Sequence, residues 1–145
     1  MQKVTPFLWF DGNLEEAVNF YTTVFPNSRV ESIGPMTAAF VIEGQEFMAF
    51  NGGPKFKFNE AVSFFVRCDT QAEIDFFWEH LTIDGGVESQ CGWLKDKFGL
   101  SWQVVPNVLG QYLSGRDRAS EQGVMQAMLK MTKLDIAALE AAYAG

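Results

Sequence analysis

The tripeptide Val30-Glu31-Ser32 returns as Val87-Glu88-Ser89, 57 positions later, and it is one point in a longer internal echo. The same shift lays Asn13-Leu14-Glu15-Glu16-Ala17-Val18-Asn19-Phe20-Tyr21 over Thr70-Gln71-Ala72-Glu73-Ile74-Asp75-Phe76-Phe77-Trp78, matching Glu16 with Glu73 and Phe20 with Phe77. With a shift of 55, Gly44 to Ala49 falls on Gly99 to Val104. A repeat of this length means that one supersecondary module occurs twice. The two copies are expected to pack as pseudo-symmetric halves, with any ligand site where they meet.

Within each copy the elements follow the same order. Phe7-Leu8-Trp9-Phe10, bounded by Pro6 and Asp11-Gly12, reads as a buried strand. Asn13 offers an N-cap with Glu16 in the reciprocal position. Leu14, Ala17, Val18, Tyr21 and Val24 then recur at helical spacing until Pro26-Asn27-Ser28. Strands are expected at 30–33, 37–42 and 46–50, with Glu43-Gly44 turning the last hairpin and Asn51-Gly52-Gly53-Pro54 ending the module. The second copy gives a strand at 61–68, a helix capped by Asp69-Thr70, then strands at 87–91, 92–96 and 101–105 before Pro106. Each half is therefore β-α-β-β-β. The expected organisation is one α+β domain over 1–145, with modules 1–54 and 55–107 and a helical tail over 108–145. That tail carries a helix at 122–130 and a second one capped by Asp135, and it suits an exposed sheet edge or a partner subunit.

Composition removes several function classes. At 145 residues and 48% hydrophobic the chain can bury a core, and 14 phenylalanines with 4 tryptophans make that core or pocket rich in rings. Net charge is −7 with no basic run, so nucleic acid and anionic membranes are poor partners. No apolar stretch nears the ~20 residues of a membrane span, and Met-Gln-Lys-Val-Thr-Pro lacks a signal-peptide core, so the expected location is cytoplasmic. Two cysteines, Cys68 and Cys91, fit a reducing compartment. Cys91 lies beside glycine in Ser89-Gln90-Cys91-Gly92-Trp93, but no histidine is near in sequence to activate it. It reads as a small, half-buried thiol.

Four motifs bring a known family into view: Thr5-Pro6-Phe7-Leu8-Trp9-Phe10-Asp11-Gly12, Asn51-Gly52-Gly53-Pro54, Cys91-Gly92-Trp93-Leu94-Lys95-Asp96-Lys97-Phe98-Gly99 and Ser101-Trp102-Gln103-Val104. With the tail segments Met128-Leu129-Lys130-Met131 and Leu134-Asp135-Ile136, they resemble the PhnB-like group of the vicinal oxygen chelate superfamily, which includes glyoxalase I, bleomycin-resistance proteins and dihydroxybiphenyl dioxygenases. The resemblance covers nearly the whole chain. It implies a cup-shaped mixed sheet built from the two modules and a homodimer. The stretch from Glu31 to Met36 is shorter than in many such proteins, which implies a truncated hairpin beside the cup. Members often carry the label 3-demethylubiquinone-9 3-methyltransferase. S-adenosylmethionine is usually held by a glycine-rich turn between a parallel strand and a helix. No such turn is present: Gly52-Gly53 runs into proline, and Gly85-Gly86 follows a helix.

In the superfamily's metalloenzymes each module gives one ligand from its first strand and one from its last. The resemblance places those positions at Pro6, Met48, Ser63 and Gln103. Proline has no donor, methionine is soft, and the other two are weak neutral oxygen donors, so no divalent metal and no other cofactor is expected. The only histidine, His80, falls in the second helix and reads as a surface or core-edge residue. Strand alternation from Pro6 points Leu8 and Phe10 into the cup, with Phe7 and Trp9 under the helix. Glu46, Met48, Phe50, Ser63, Phe65, Arg67, Ser101, Gln103 and Val105 face inward by the same rule. The expected ligand-binding set is thus Leu8, Phe10, Met48, Phe50, Ser63, Phe65, Arg67 and Gln103.

Mostly apolar walls with a few polar groups suit a small-molecule pocket, although the same rings can fill the cup with protein. Lys95-Asp96-Lys97 reads as a solvated turn or an anion contact, and Trp93 as a stacking lid or as core. One reading is a metal-free protein that binds a small aromatic or amphipathic molecule. A second is an enzyme (lyase, isomerase or transferase) with an atypical site, for which Glu46, Cys91 and Arg67 are the candidate catalytic groups. A third gives dimerisation itself the leading role.

Overall fold

The computed structural model describes residues 2–114 and 117–145. They form two compact units, Met1–Phe58 and Asn59–Gly145. In the first, strand β1 (Phe7–Phe10) leads to helix α1 (Leu14–Val24), then β2 (Ser28–Ile33), β3 (Thr37–Ile42) and β4 (Gln45–Asn51). The sheet order is β1-β4-β3-β2, with β1 parallel to β4 and the other pairs antiparallel. Leu14, Ala17, Val18, Tyr21 and Val24 make one stripe at helical spacing, and all are buried. They pack on Leu8, Phe10, Ala38, Phe40, Phe47 and Ala49, which are buried too. Tyr21 and Phe40 stack at 6.4 Å, and Phe40 stacks on its cross-strand partner Phe47 at 5.3 Å. Burial of each such side chain contributes roughly 1.5–3 kcal/mol.

Asn13 takes the N-cap position but makes no side-chain cap bond. Its φ of −113° and ψ of 27° lie outside the extended cap geometry. Leu14 N–H instead donates to Asn51 Oδ1 at 3.1 Å, so the end of β4 caps the helix from across the sheet.

The second unit repeats the order with β5 (Ser63–Cys68), α2 (Gln71–Leu81), β6 (Val87–Glu88), β7 (Trp93–Lys95) and β8 (Ser101–Pro106), sheet order β5-β8-β7-β6. Here the local cap forms. Thr70 Oγ1 accepts from Glu73 N–H at 3.2 Å, and Glu73 Oε1 accepts from Asp69 N–H at 2.8 Å. The strands expected at 87–91 and 92–96 are two and three residues long instead. Cys91 turns to φ +59°, which breaks the ladder, and the amides of Cys91 and Gly92 donate to the Met131 and Thr132 carbonyls of the tail.

The tail forms α3 (Val108–Tyr112), α4 (Arg118–Leu129, capped by Asp117) and α5 (Ile136–Ala144, capped by Asp135). Leu109, Val124, Leu134 and Leu139 make a buried cluster with Val105 of β8. Gln71 on α2 clasps the tail through bonds to Leu134 O and Ile136 N–H, and Lys133 pairs with Asp75 at 2.7 Å. Among the described residues no helix is long and apolar enough to cross a membrane.

Candidate functional site

Each sheet has one face under its helix and one face free of it, and ladder register assigns side chains to the two. In the first unit Phe7 lies beside Met48, and Trp9 beside Phe50. Phe50 touches both rings, with centroids 6.3 Å from Phe7 and 5.3 Å from Trp9. Phe7 and Met48 are 55% and 46% exposed, whereas Leu8 and Phe10 are 6% and 2% exposed on the helix side. Leu8 and Phe10, expected to face the cup, therefore pack under the helix instead, and Phe7 and Trp9 take the opposite face. The cause is a one-residue slip in the repeat. The free-face partners of Met48 and Gln103 are Phe7 and Phe65, which are 58 positions apart, not 57. Asp11-Gly12-Asn13 separates β1 from α1, while only Asp69-Thr70 separates β5 from α2. The extra residue restores the offset of 57 in the helices, and a slip of one swaps every side chain to the other face of a strand.

Local chemistry fixes the free face of the first unit. Trp9 Nε1–H donates to Gly53 O at 2.9 Å, and its ring meets Phe56 edge-on at 5.0 Å. A Cβ on Gly52 would lie 2.2 Å from the Trp9 indole, so glycine there lets the loop lie against the ring. Glu46 shares this face, and its Oε1 accepts from Gln2 N–H at 3.2 Å.

In the second unit Val66, Cys68, Trp102 and Val104 are buried, and their parity puts Ser63, Phe65, Arg67, Ser101, Gln103 and Val105 on the opposite face. Gln103 Nε2 donates to Ser63 Oγ at 2.8 Å, and the Arg67 guanidinium lies 5.3 Å from the Phe65 ring centroid. Trp93 and Lys95 of β7 join them, beside Gln103 and Ser101. Lys95 pairs with Glu60, whose carboxyl is held below its ordinary value by that hydrogen bond and charge.

Of the candidate catalytic groups, Glu46 contacts the Gln2 amide, Cys91 is bonded into the tail through its backbone, and Arg67 lies over Phe65. None of these partners is an acid or a base. Burial pushes the Cys68 thiol up to about 12, with the charges of Glu73 and Asp69 adding to the effect. His80 stacks on Phe76 at 4.1 Å within α2.

Two residues carry more than the sequence revealed. Asp96, read as part of a solvated turn, is 2% exposed and organises that turn. Its Oδ1 accepts from the Phe98 and Leu100 amides and its Oδ2 from Trp102 Nε1–H at 2.9 Å. The available signal was Trp102 itself, because a buried indole N–H needs an acceptor. Ser101 is fully buried, and its Oγ has no hydrogen-bond partner among the described residues. No sequence pattern marks such a hydroxyl.

Paired βαβββ units define the vicinal oxygen chelate architecture. FosX from Listeria monocytogenes, described as complexed with Mn(II) and sulfate, matches with TM-score 0.59 at 13% identity over 79% of this chain and 97% of its own. A glyoxalase/bleomycin resistance protein from Albidiferax ferrireducens matches with TM-score 0.53 at 12% identity over 73% and 99%. Within that architecture the family model described as 3-demethylubiquinone-9 3-methyltransferase matches residues 2–105, and the chain belongs to this PhnB-like family. A Bacillus cereus PhnB protein carrying the same description is 37% identical over 72% of this chain and 99% of its own, with TM-score 0.67. No curated protein matches the chain.

The residues do not fit a divalent ion of the kind the fold implies. Pro6 lies outside β1 and offers only its carbonyl, which accepts from Met48 N–H at 2.9 Å. Ser63 and Gln103 are bonded to each other. The ladder neighbours of Met48 and Gln103 are Phe7 and Phe65, which carry no donor at all. Among the described residues no three His, Cys, Asp or Glu side chains gather as a metal set.

Proposed function

We propose that this PhnB-like protein binds a small aromatic or amphipathic molecule on the sheet faces that lie away from α1 and α2, without a divalent metal. The observation that carries this reading is the composition of those faces. Three rings and a thioether (Phe7, Trp9, Phe50, Met48) stand beside Glu46 on one face, and two rings (Phe65, Trp93) stand beside neutral and cationic groups on the other, whereas a divalent ion wants three or four imidazole or carboxylate donors. The methyl transfer in the family description calls for a nucleotide cradle. The strand-to-helix turns here, Asp11-Gly12-Asn13 and Asp69-Thr70, are not the glycine-rich turns that usually supply one. Binding is therefore favoured over methyl transfer.

A thermal-shift screen of the chelator-treated full chain tests this. Small aromatic compounds should raise Tm in the presence of EDTA, and Phe65→Ala should remove the effect. Stabilisation by added metals alone would overturn it.

A further inference from the structure

The free face of the second unit has a pattern of its own. Across β5, β8 and β7, Phe65, Gln103 and Trp93 form one row, and Ser63, Ser101 and Lys95 form the next. Adjacent strands lie ~4.8 Å apart, so the backbones of Phe65 and Trp93 are about 10 Å apart. That is room for one planar ring about 5 Å from each aromatic side chain. Both cations of these three strands, Arg67 and Lys95, share this face. Glu88 lies on the other side, donated to by Trp78 of α2, and Asp96 is spent on its own turn. A carboxylate that does reach it is exposed Glu60, bonded to Lys95.

Ser101 sits two residues before Gln103 on one strand and so shares its face. Its hydroxyl is fully buried and has no partner among the described residues. A buried hydroxyl left in that state destabilises the protein unless something else bonds to it.

Resting on the binding function above, we infer that this face takes an aromatic molecule bearing an oxyanion, a carboxylate or a phosphate. The ring lies over Gln103 between Phe65 and Trp93, and the oxyanion accepts from Ser101 Oγ–H, which is fully buried here and is reached once Glu60 leaves Lys95. Lys95 supplies the positive charge, exchanging Glu60 for the ligand. Glu60 is then a built-in competitor that discriminates against weak anions.

NMR titration of the full chain with phenyl phosphate and with neutral benzyl alcohol tests the assignment. Phenyl phosphate should bind the tighter of the two. Ser101→Ala should weaken phenyl phosphate about tenfold, the effect of one hydrogen bond to a charged group. It should leave benzyl alcohol unchanged and should not lower Tm, because the lost hydroxyl had no partner. Glu60→Gln should tighten phenyl phosphate alone. Equal affinity for the two probes overturns the oxyanion assignment while leaving aromatic binding in place. So does a Ser101→Ala variant that loses Tm but keeps its phenyl phosphate affinity. Binding of neither probe would overturn both.

Discussion

The two modules share a skeleton and differ in how they complete it. The first finishes its sheet alone: β2 and β3 are six residues each, and Glu43 and Gly44, at φ +48° and +83°, make a two-residue hairpin turn needing no buried polar group. The second shortens the equivalent strands and borrows the tail to satisfy the amides this releases, and its last turn is held by a buried carboxylate. Their free faces differ in the same sense. One sets three rings and a thioether beside Glu46, and the other sets hydroxyl, amide and cationic groups beside two rings. Duplication supplied the frame, and the cationic and hydroxyl chemistry went into the second copy.

Truncating the tail core should break this contrast most forcefully. Leu134 is fully buried, and Leu134→Ala should cost about 2–5 kcal/mol in urea denaturation. A loss below about 1 kcal/mol would mean that the second module stands without its tail. The two turns give the next largest effect. Asp96→Asn turns an amide towards donors and should cost roughly 2 kcal/mol, whereas Glu43→Gln at the exposed turn should stay within about 0.5 kcal/mol. Equal costs would remove the distinction between them.

A smaller effect separates the cysteines. Iodoacetamide at pH 8 should label half-buried Cys91 and spare Cys68 until urea is added. Because the Cys68 value is raised from 9.0 to about 12, its contribution to stability is complete below pH 9 and is lost as pH rises towards 12. Equal labelling of both thiols in the native protein would contradict that.

Much of the frame was legible in the chain. The repeat, the α1 and α2 stripes and the Thr70 cap all rest on local spacing, and the structure realises them. The Asn13 cap was not legible, because Asn51 competes for the same amide from a distant strand. Nor was the end of β6, where tail carbonyls replace a strand partner. The residues of β5, β4 and β8 on the faces away from α1 and α2 followed from parity, but those of β1 were inverted. A single residue between β1 and α1 changes the face without changing the pattern. The burial of Asp96 and Ser101 depends on tertiary packing that spacing does not encode.

Among the described residues, the sheet faces proposed to bind ligand carry no set of side chains suited to hold a divalent ion. Calorimetric titration of the chelator-treated full chain with Mn²⁺, Ni²⁺ and Zn²⁺ tests this most directly. No saturable binding is expected. A one-site isotherm that disappears with Met48→Ala and Gln103→Ala would contradict it.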